Sequence, residues 1–542
     1  MPIPRSAPVR FTPRGLTDAF DATDEFPGAC RKLANLVFDQ FNPEEVVARP
    51  GVGAGITSFA GFTTPGFVSI QETIGNYVFG MVATGLTAGH DEPFCWDLVN
   101  GAFIAVTGVT AGNAEGRPAS PATSGVWTPP TMAVVGAKII ITHPGYTGVG
   151  SNFFGVIDIS NPAAPAYSTT NTATTALPTV PTGVANFGNR AYFICKNVVY
   201  YSDVLVPTTM TNAGQALTIG DSAKVIALSG LPLQTTTAGI VGSLIAFKGN
   251  QIWQITGDAA VANSLALNYI SLEIGTQSAR SVVQTPIGSI FAGPDGPYVV
   301  SQTGVVSPLT DGQRAMPDLR QPFAYVTEPT RVAASFAGNI YRVCVPTIVD
   351  GFAGTWDYWF DMRKRRWNGP HSFTYDCASS AGQYFILSSA GATGKLFRGD
   401  TFPNGSSLYT DNGSTYNVDL KSSTFPKRGD MAMKQVVEST IELSSSGSSI
   451  TYSVASFDDK GNQMDLATIV TPQSGGLWGS TVWGDGTKWS SSLNPAVTYA
   501  INWTKPLVFN RMAIEVTCLA AKSIAIGSFF ARYQLTGYLL QT

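Results

Sequence analysis

A glycine turn followed by short apolar strands recurs along the chain from about Gly75 onward. Asn or Gln usually follows the glycine, and an apolar or aromatic run comes next, as in Gly188-Asn-Arg-Ala-Tyr-Phe193. Gly-Asn between apolar runs indicates a hairpin, because both residue types accept positive φ easily. Similar starts lie at Gly75, Gly136, Gly249, Gly296, Gly338 and Gly382. The repeat is roughly 45 to 60 residues long, in or just above the range of propeller blades.

Several second strands of these units end in aspartate, and they resemble the outer strands of propeller blades. They span residues 154–158, 199–203, 358–361 and 395–400. Hairpins in series favour an array of blades. The sequence therefore predicts an all-β fold whose centre, residues 61–405, is an irregular β-propeller of about six to seven blades.

The two ends of the chain have a different pattern. Leu33, Leu36 and Val37 are spaced by three and four residues, which predicts a short helix over 30–38 in an N-terminal arm of residues 1–60. Apolar and polar residues alternate over 436–443 and 450–457, and a second pair of strands is predicted at 507–517 and 523–534. We interpret residues 406–542 as a C-terminal β-sandwich-like domain built from these two hairpins.

The composition supports a β fold and argues against several functions. Charged residues make up 13% of the chain, and 56 Gly and 34 Pro leave little room for long helices. The net charge of -3 cannot hold nucleic acid tightly. The six cysteines are scattered singly, which is typical of free thiols made in a reducing cytoplasm. No signal peptide, membrane span or membrane anchor is predicted.

Residues that could perform catalysis or bind a metal are sparse. The three histidines are isolated from one another, and no nucleophile, phosphate-loop or metal motif is present. His90-Asp91-Glu92 with Cys95 and Asp97 has no common metal-ligand spacing, so we interpret it as a solvated loop. We expect no catalytic residue, no cofactor and no metal.

Two clusters are candidate interaction sites. The first is the basic run Arg363, Lys364, Arg365 and Arg366. It could contact a phosphate backbone, or it could be an exposed turn with Trp367 packed back, and the acidic chain favours the turn. The second cluster is Trp478, Trp483 and Trp489 in a Gly-rich insertion. These side chains are either buried or anchor a subunit interface, with contact to a glycan as the alternative.

Other stretches resemble the tail nozzle proteins of short-tailed bacteriophages, also called packaged-DNA stabilisation or tail tubular proteins. The opening resembles that family in Asn35-Leu-Val-Phe-Asp-Gln40 followed by Arg49-Pro-Gly51. The resemblance continues in Ile252-Trp-Gln-Ile-Thr-Gly-Asp258, Glu273-Ile-Gly-Thr276, Ser281-Val282, Phe291-Ala-Gly-Pro-Asp-Gly-Pro-Tyr298 and the repeated Trp-Gly near Trp478. The resemblance is a pattern spread over about half of the chain.

The resemblance implies a virion structural protein of the phage tail, assembled in the host cytoplasm. It implies a homohexameric ring below the portal, in contact with the head-to-tail adaptor and with tailspike or fibre proteins. Genomic DNA would be retained by this ring and would leave through its lumen without sequence-specific binding. The family has no catalytic residues to carry over.

Two alternatives to the nozzle stay open at this stage. One is a propeller enzyme that acts on bacterial surface polysaccharide, for which Asp357 and Asp361 on one strand are candidate carboxylates. The other is a receptor-binding tail component without catalytic activity.

Overall fold

The chain divides into two compact units. The structure is a computed structural model, and it describes residues 7–17, 28–39, 42, 44–55, 67–83, 89–108, 116, 118–119, 130–149, 152–169, 177–212, 214–236, 239–257, 264–310, 318–349, 351–389, 395–400, 409–426, 432–445, 449–471, 497–520 and 524–538. Unit 1 is residues 1–54, 356–373 and 399–542, and unit 2 is residues 55–355 and 374–398. The predicted succession of three domains differs from this division, because both ends of the chain belong to unit 1.

The described N-terminal segment is made of strands. They are β1 (Ala7–Phe11), β2 (Gly15–Leu16), β3 (Ala29–Ala34), β4 (Leu36–Phe38) and β5 (Val46–Ala48). The helix predicted over 30–38 is wrong, because β3 and β4 occupy this segment and Asn35 between them has φ +57°. Leu33, Leu36 and Val37 are buried, and their strands pair with the segments near Leu420 and Val47. Tertiary pairing therefore overrides the helical spacing.

Five four-stranded antiparallel sheets follow along the chain. The first contains β6 (Phe67–Ile74), β7 (Tyr77–Ala83), β8 (Glu92–Asp97) and β9 (Ala102–Ile104). The second contains β10 (Thr131–Val135), β11 (Lys138–Thr142), β12 (Gly155–Asp158) and β13 (Ala166–Ser168). The third contains β14 (Gly183–Phe187), β15 (Arg190–Cys195), β16 (Val198–Tyr201) and β17 (Ala216–Thr218). The fourth contains β18 (Ala227–Thr236), β19 (Gly239–Phe247), β20 (Ile252–Thr256) and β21 (Ala266–Ser271). The fifth contains β22 (Val283–Thr285), β23 (Gly288–Gly293), β24 (Gly296–Ser301) and β25 (Val306–Pro308).

The next segment contains the short helix α1 (Gln321–Ala324) and seven strands. These strands are β26 (Ala333–Ala337), β27 (Ile340–Val349), β28 (Phe352–Asp361), β29 (Arg366–His371), β30 (Cys377–Ala381), β31 (Tyr384–Ser389) and β32 (Lys395–Asp400). Strands β30, β31 and β32 form a three-stranded sheet. Two 3-10 turns, Ala279–Ser281 and Pro329–Arg331, complete the described helical elements. Among the described residues, no helix has the length and apolar character that a membrane span requires.

The first strands of these sheets contact one another in a closed cycle within unit 2. Its order is β6, β10, β14, β18, β22, β26, β30 and again β6. Unit 2 is therefore a β-propeller. Five four-stranded sheets and the sheet β30–β31–β32 are its six blades, and the hairpin β26–β27 takes the remaining position of the cycle. This arrangement confirms the all-β propeller that the repeat predicts.

At Gly75, Gly136, Gly188, Gly338 and Gly382 the glycine turn connects the first and second strands, so these repeats start one strand earlier than the sequence pattern indicates. Gly249 lies between the second and third strands of its blade, and Gly296 is the first residue of a third strand. Gly188 and Asn189 have φ values of +54° and +57°, and Gly338 and Asn339 have +55° and +67°. Positive φ at both central residues is the conformation that Gly-Asn favours in two-residue hairpins. The hairpin prediction is therefore confirmed at these turns.

The core of unit 2 lies between adjacent blades. Phe154 of the second blade and Phe193 of the third have ring centroids 4.8 Å apart. Phe247 of the fourth blade and Phe291 of the fifth are 5.1 Å apart. These four side chains are fully buried, and offset aromatic pairs of this kind stabilise the contact between neighbouring blades.

Unit 1 is completed by the C-terminal strands. They are β33 (Thr410–Asp411), β34 (Ser414–Ser422), β35 (Ala432–Ser445), β36 (Ile450–Asp458), β37 (Gln463–Thr471), β38 (Val497–Ala500), β39 (Val508–Phe509), β40 (Met512–Ala520) and β41 (Ile524–Tyr538). One sheet has the order β38-β35-β41-β5-β4, and the other contains the order β29-β3-β34-β40-β36-β37. Phe425 joins them, because its backbone pairs with Met512 of β40 and its ring lies 5.7 Å from Phe529 of β41.

Strands occur where the alternation of the C-terminal residues predicts them, but the predicted hairpins are wrong. Strand β35 pairs with β41, whereas β36 pairs with β37 and β40. The chain thus changes sheet between β35 and β36, and again between β40 and β41. Alternation shows which face of a strand is buried, but it does not identify the partner strand.

Candidate functional site

A cavity of about 530 Å³ lies on the axis of the propeller, within unit 2. Residues on or next to the first strands of all seven positions of the cycle line it. Each of these strands is the end strand of its sheet, so one of its edges has no strand partner. Backbone N–H and C=O groups therefore surround the cavity together with side chains. Its volume is in the range of small-molecule sites, about 300 to 1,000 Å³.

Two of the lining side chains carry charge, Glu72 and Arg280. Glu72 lies on β6 beside a register shift between Ile70 and Glu72 in the pairing with β7. Such a bulge changes the direction of side chains along a strand. Burial raises the pKa of Glu72 to about 7, since the carboxylate loses hydration in the cavity.

Neighbouring side chains fix the walls of the cavity. The hydroxyl of Thr73 on β6 lies 3.2 Å from the hydroxyl of Ser379 on β30. One Nη of Arg280 donates to Cys377 Sγ at 2.8 Å, and the other donates to the Thr330 carbonyl at 2.7 Å. Arg280 precedes β22, three positions from β6 in the cycle of seven. Its guanidinium nevertheless reaches Cys377 at the start of β30, the strand that neighbours β6 in the cycle.

The basic cluster lies at the turn between β28 and β29, with Arg366 as the first residue of β29. Its members are Arg363, Lys364, Arg365 and Arg366. Oδ1 of Asp361 accepts the backbone N–H groups of the first two, at 2.9 and 3.1 Å. Trp367 is fully buried with its ring centroid 5.1 Å from that of Phe360. The structure agrees with the turn interpretation, and contact with DNA stays a prediction.

The other predicted residues do not form a reactive site in the described residues. Trp478, Trp483 and Trp489 lie outside them. Asp357 is fully buried and accepts the indole N–H of Trp359 at 2.8 Å, while Asp361 caps the basic turn. Both carboxylates thus stabilise local structure. Among the described side chains, no group of three or more His, Cys, Asp and Glu is placed to hold a metal.

The segment around Asp91 differs from its prediction as a solvated loop. Glu92 opens the buried strand β8, and Asp91 accepts a hydrogen bond from His143 at 2.7 Å. The other ring nitrogen of His143 accepts the Gly145 N–H at 2.9 Å, so Nε2 carries the proton. Both side chains are buried. The sequence gives no signal for this pair, because 52 residues separate its members.

A buried network in unit 1 contains Asn35 and Arg49, two of the residues that carry the family resemblance. The Arg49 guanidinium pairs with both carboxylate oxygens of Asp411 and lies 4.4 Å from the centre of the Tyr416 ring. It also donates to Oδ1 of Asn35 at 2.9 Å, and the Asn35 N–H donates to His371 Nδ1 at 3.1 Å. The network joins the N-terminal strands to β29, β33 and β34. Its residues therefore have a structural role.

All six cysteines are buried, and none of them forms a disulfide bond. Burial raises the pKa of the Cys95 thiol to about 12, with the Asp97 charge as a second cause, and burial raises that of Cys518 to about 12. Such thiols are protonated and unreactive near neutral pH.

Two solved structures show distant similarity to this chain. A puromycin-hydrolysing peptidase of Mycobacterium tuberculosis is 11% identical, with a TM-score of 0.35 over 70% of this chain and 62% of its own. The β-propeller domain of the trilobed protease from Pyrococcus furiosus, described as having an open velcro topology, is 10% identical, with a TM-score of 0.32 over 62% of this chain and 95% of its own.

These distant likenesses assign no activity to this chain. This chain spans 62% of the length of the first peptidase. No protein-family profile matches the chain, and no curated protein matches it.

Proposed function

We propose that this chain is a structural subunit of a phage virion, the tail nozzle, which forms a homohexameric ring. The observation that best supports this is the role of Asn35 and Arg49. These residues match the opening pattern of the nozzle family, and they belong to the buried network around Asp411. The shared pattern therefore includes residues of a buried network that connects strands of unit 1. Such a stabilising role is expected in a family of structural proteins.

In this proposal, DNA passes through the central hole of the hexameric ring. The cavity on the propeller axis has a volume of about 530 Å³. This is too small for a DNA duplex, whose major groove alone is wide enough to hold an α-helix. DNA must therefore pass between subunits. The low charge of the chain, with 33 basic and 36 acidic residues, favours passage without retention by phosphate contacts.

The proposal includes partners and a location. The ring lies in the virion tail, below the adaptor and beside tailspike or fibre proteins, after assembly in the host cytoplasm. The basic turn at Arg363 and the tryptophans near Trp478 are the proposed contacts with these partners or with DNA. Aromatic and arginine side chains commonly anchor such interfaces.

The chain is proposed to have no catalytic activity. The candidate carboxylates Asp357 and Asp361 stabilise local structure, as their hydrogen bonds to Trp359 and to the basic turn indicate. His143 is buried against Asp91, away from solvent. A polysaccharide-cleaving site needs two carboxyl groups that both reach the substrate.

Light scattering of the purified full-length chain over a range of concentrations tests this function. The expected species has the mass of six chains of 57.2 kDa each. A monomer at every concentration would contradict the proposal. Incubation with bacterial surface polysaccharides tests the enzyme alternative, and we expect no release of oligosaccharides. Adsorption of the purified chain to bacterial cells would instead favour a receptor-binding component.

A further inference from the structure

Glu72 is a carboxylate without a counter-charge on the wall of the central cavity. Part of its surface stays accessible, and no described residue forms a hydrogen bond or an ion pair with its carboxylate. The strands β7, β10, β30 and β31 pack against β6 and contain no charged residue, and their titratable groups are Tyr77, Tyr384 and Cys377. A carboxylate in such surroundings is stabilised by a ligand that supplies a positive charge.

Arg280 is the other charged residue that lines the cavity, and it has partners of its own. Its two Nη atoms donate to Cys377 Sγ and to the Thr330 carbonyl. Burial raises the pKa of Glu72 without an opposing effect of the guanidinium, so Arg280 does not neutralise this carboxylate. The place for a cationic group of a ligand is therefore at Glu72, and a second cationic group would be repelled by Arg280.

Three further polar side chains on the wall can form hydrogen bonds with a ligand. They are Ser380 on β30, Ser335 on β26 and Gln284 on β22. None of these side chains forms a hydrogen bond with a described residue. Their strands follow one another in the cycle, beginning next to β6. Hydroxyl and amide groups both donate and accept, so a ligand that extends from Glu72 along these strands meets partners for hydroxyl groups.

We propose that the central cavity binds a small amino alcohol, whose primary ammonium group pairs with Glu72 and whose hydroxyl groups bond with Ser380, Ser335 and Gln284. The ammonium group carries one positive charge, which balances the one carboxylate of the wall, and hydrogen bonds between such groups are strong. A volume of about 530 Å³ suits an organic molecule of this kind better than a lone ion. The site lies within unit 2 of one chain, so it does not depend on the proposed ring.

Other small ligands fit these walls less well. A diamine brings a second ammonium group into a cavity that already contains the Arg280 guanidinium. Calcium takes about six to eight oxygen ligands, commonly from several carboxylates, and Glu72 is the single carboxylate among the lining residues. A free amino acid adds a carboxylate, but both Nη atoms of Arg280 already donate elsewhere. A neutral polyol leaves Glu72 without a counter-charge.

Calorimetric titration of the full-length chain at pH 8 with three probes tests the proposal. Glucamine (1-amino-1-deoxysorbitol) has the ammonium group and the hydroxyl groups, sorbitol has a hydroxyl in place of the ammonium group, and butylamine has the ammonium group without hydroxyls. Glucamine is expected to bind, and sorbitol should bind about tenfold or more weakly, because it lacks the charged hydrogen bond to Glu72. Butylamine should also bind more weakly than glucamine.

The pH dependence of binding identifies the carboxylate. Since the pKa of Glu72 is about 7, its ionised fraction falls about tenfold between pH 8 and pH 6, while the alkylamine stays protonated. The affinity for glucamine should therefore fall about tenfold over this range. In Glu72→Gln the affinity for glucamine should equal that for sorbitol, and it should no longer change with pH.

Glu273→Gln is the matched control, because Glu273 is an exposed carboxylate of the same unit outside the cavity. It should bind glucamine as the unaltered chain does, and circular dichroism should show both variants folded. Ser380→Ala should weaken the binding of glucamine but not of butylamine. No binding of glucamine at millimolar concentration would overturn the proposal. Equal affinity of the unaltered chain for glucamine and sorbitol, or tighter binding of 1,4-diaminobutane, would overturn it as well.

Discussion

Replacement of Glu72 by Gln is expected to make the propeller more stable at alkaline pH. Burial raises the pKa of Glu72 from 4.5 to about 7 in the folded chain, so the folded state binds this proton more tightly than the unfolded state. The contribution of Glu72 to stability therefore decreases as pH rises from about 4.5 to about 7, and it is constant above that window. At about 1.4 kcal/mol per pKa unit, the whole effect is about 3 kcal/mol.

Urea unfolding at several pH values, followed by circular dichroism, measures this effect. Gln resembles the protonated form of Glu72 and stays neutral at every pH. The excess stability of Glu72→Gln should be under about 1 kcal/mol at pH 5 and should rise to about 3 kcal/mol at pH 8. Glu273→Gln, at an exposed carboxylate of the same unit outside the cavity, should show no such rise. A constant difference between the Glu72 variant and the unaltered chain from pH 5 to pH 8 would refute the reasoning.

Two further substitutions, each with a control variant, test the architecture of the units. Arg49→Met should destabilise unit 1 by about 3 to 5 kcal/mol in urea unfolding, because it leaves Asp411 without the guanidinium that neutralises it. Arg532→Met is the control, because Arg532 forms an exposed ion pair with Glu438, and it should change stability by less than about 1 kcal/mol. Equal effects of Arg49→Met and Arg532→Met would contradict the stabilising role of the buried network around Asp411. Gly188→Ala should destabilise unit 2 by about 1 kcal/mol, because φ is +54° there although nothing lies within 4 Å of the added Cβ. Gly214→Ala is the control, because an added Cβ there also has nothing within 4 Å and φ is not positive. Its thermal unfolding temperature should equal or exceed that of the unaltered chain, and equal losses of stability in both variants would contradict strain at the Gly188 turn.

The propeller could be predicted from sequence because its turns have strict backbone requirements. Gly188-Asn189 and Gly338-Asn339 adopt positive φ at both positions, and few residue pairs do so easily. The apolar runs beside them are short and lie between such turns, which is a local signal of strands. Fold class and the approximate blade repeat follow from these local constraints.

Non-local pairing explains the errors. The segment 30–38 has a helical spacing of apolar residues, but its strands are stabilised by partners near Leu420 and Val47. Strand β35 was likewise expected to pair with β36, and it pairs with β41 about 90 residues further along. Sequence periodicity contains no information on which distant segment supplies the partner.

The cavity site was not predictable for a related reason. Glu72 is one carboxylate among 36 acidic residues, and its strand has no motif. Its position depends on a bulge next to Ile70 and on the closing contact between β6 and β30. Only the closed cycle places it in the same cavity as Arg280.

Electron microscopy of the purified full-length chain tests the proposed nozzle most directly. The account predicts a six-fold ring whose central hole lies between subunits and is wide enough for a DNA duplex, with one propeller of the described fold in each subunit. Isolated particles without a ring, or a ring whose hole is too narrow for duplex DNA, would contradict it.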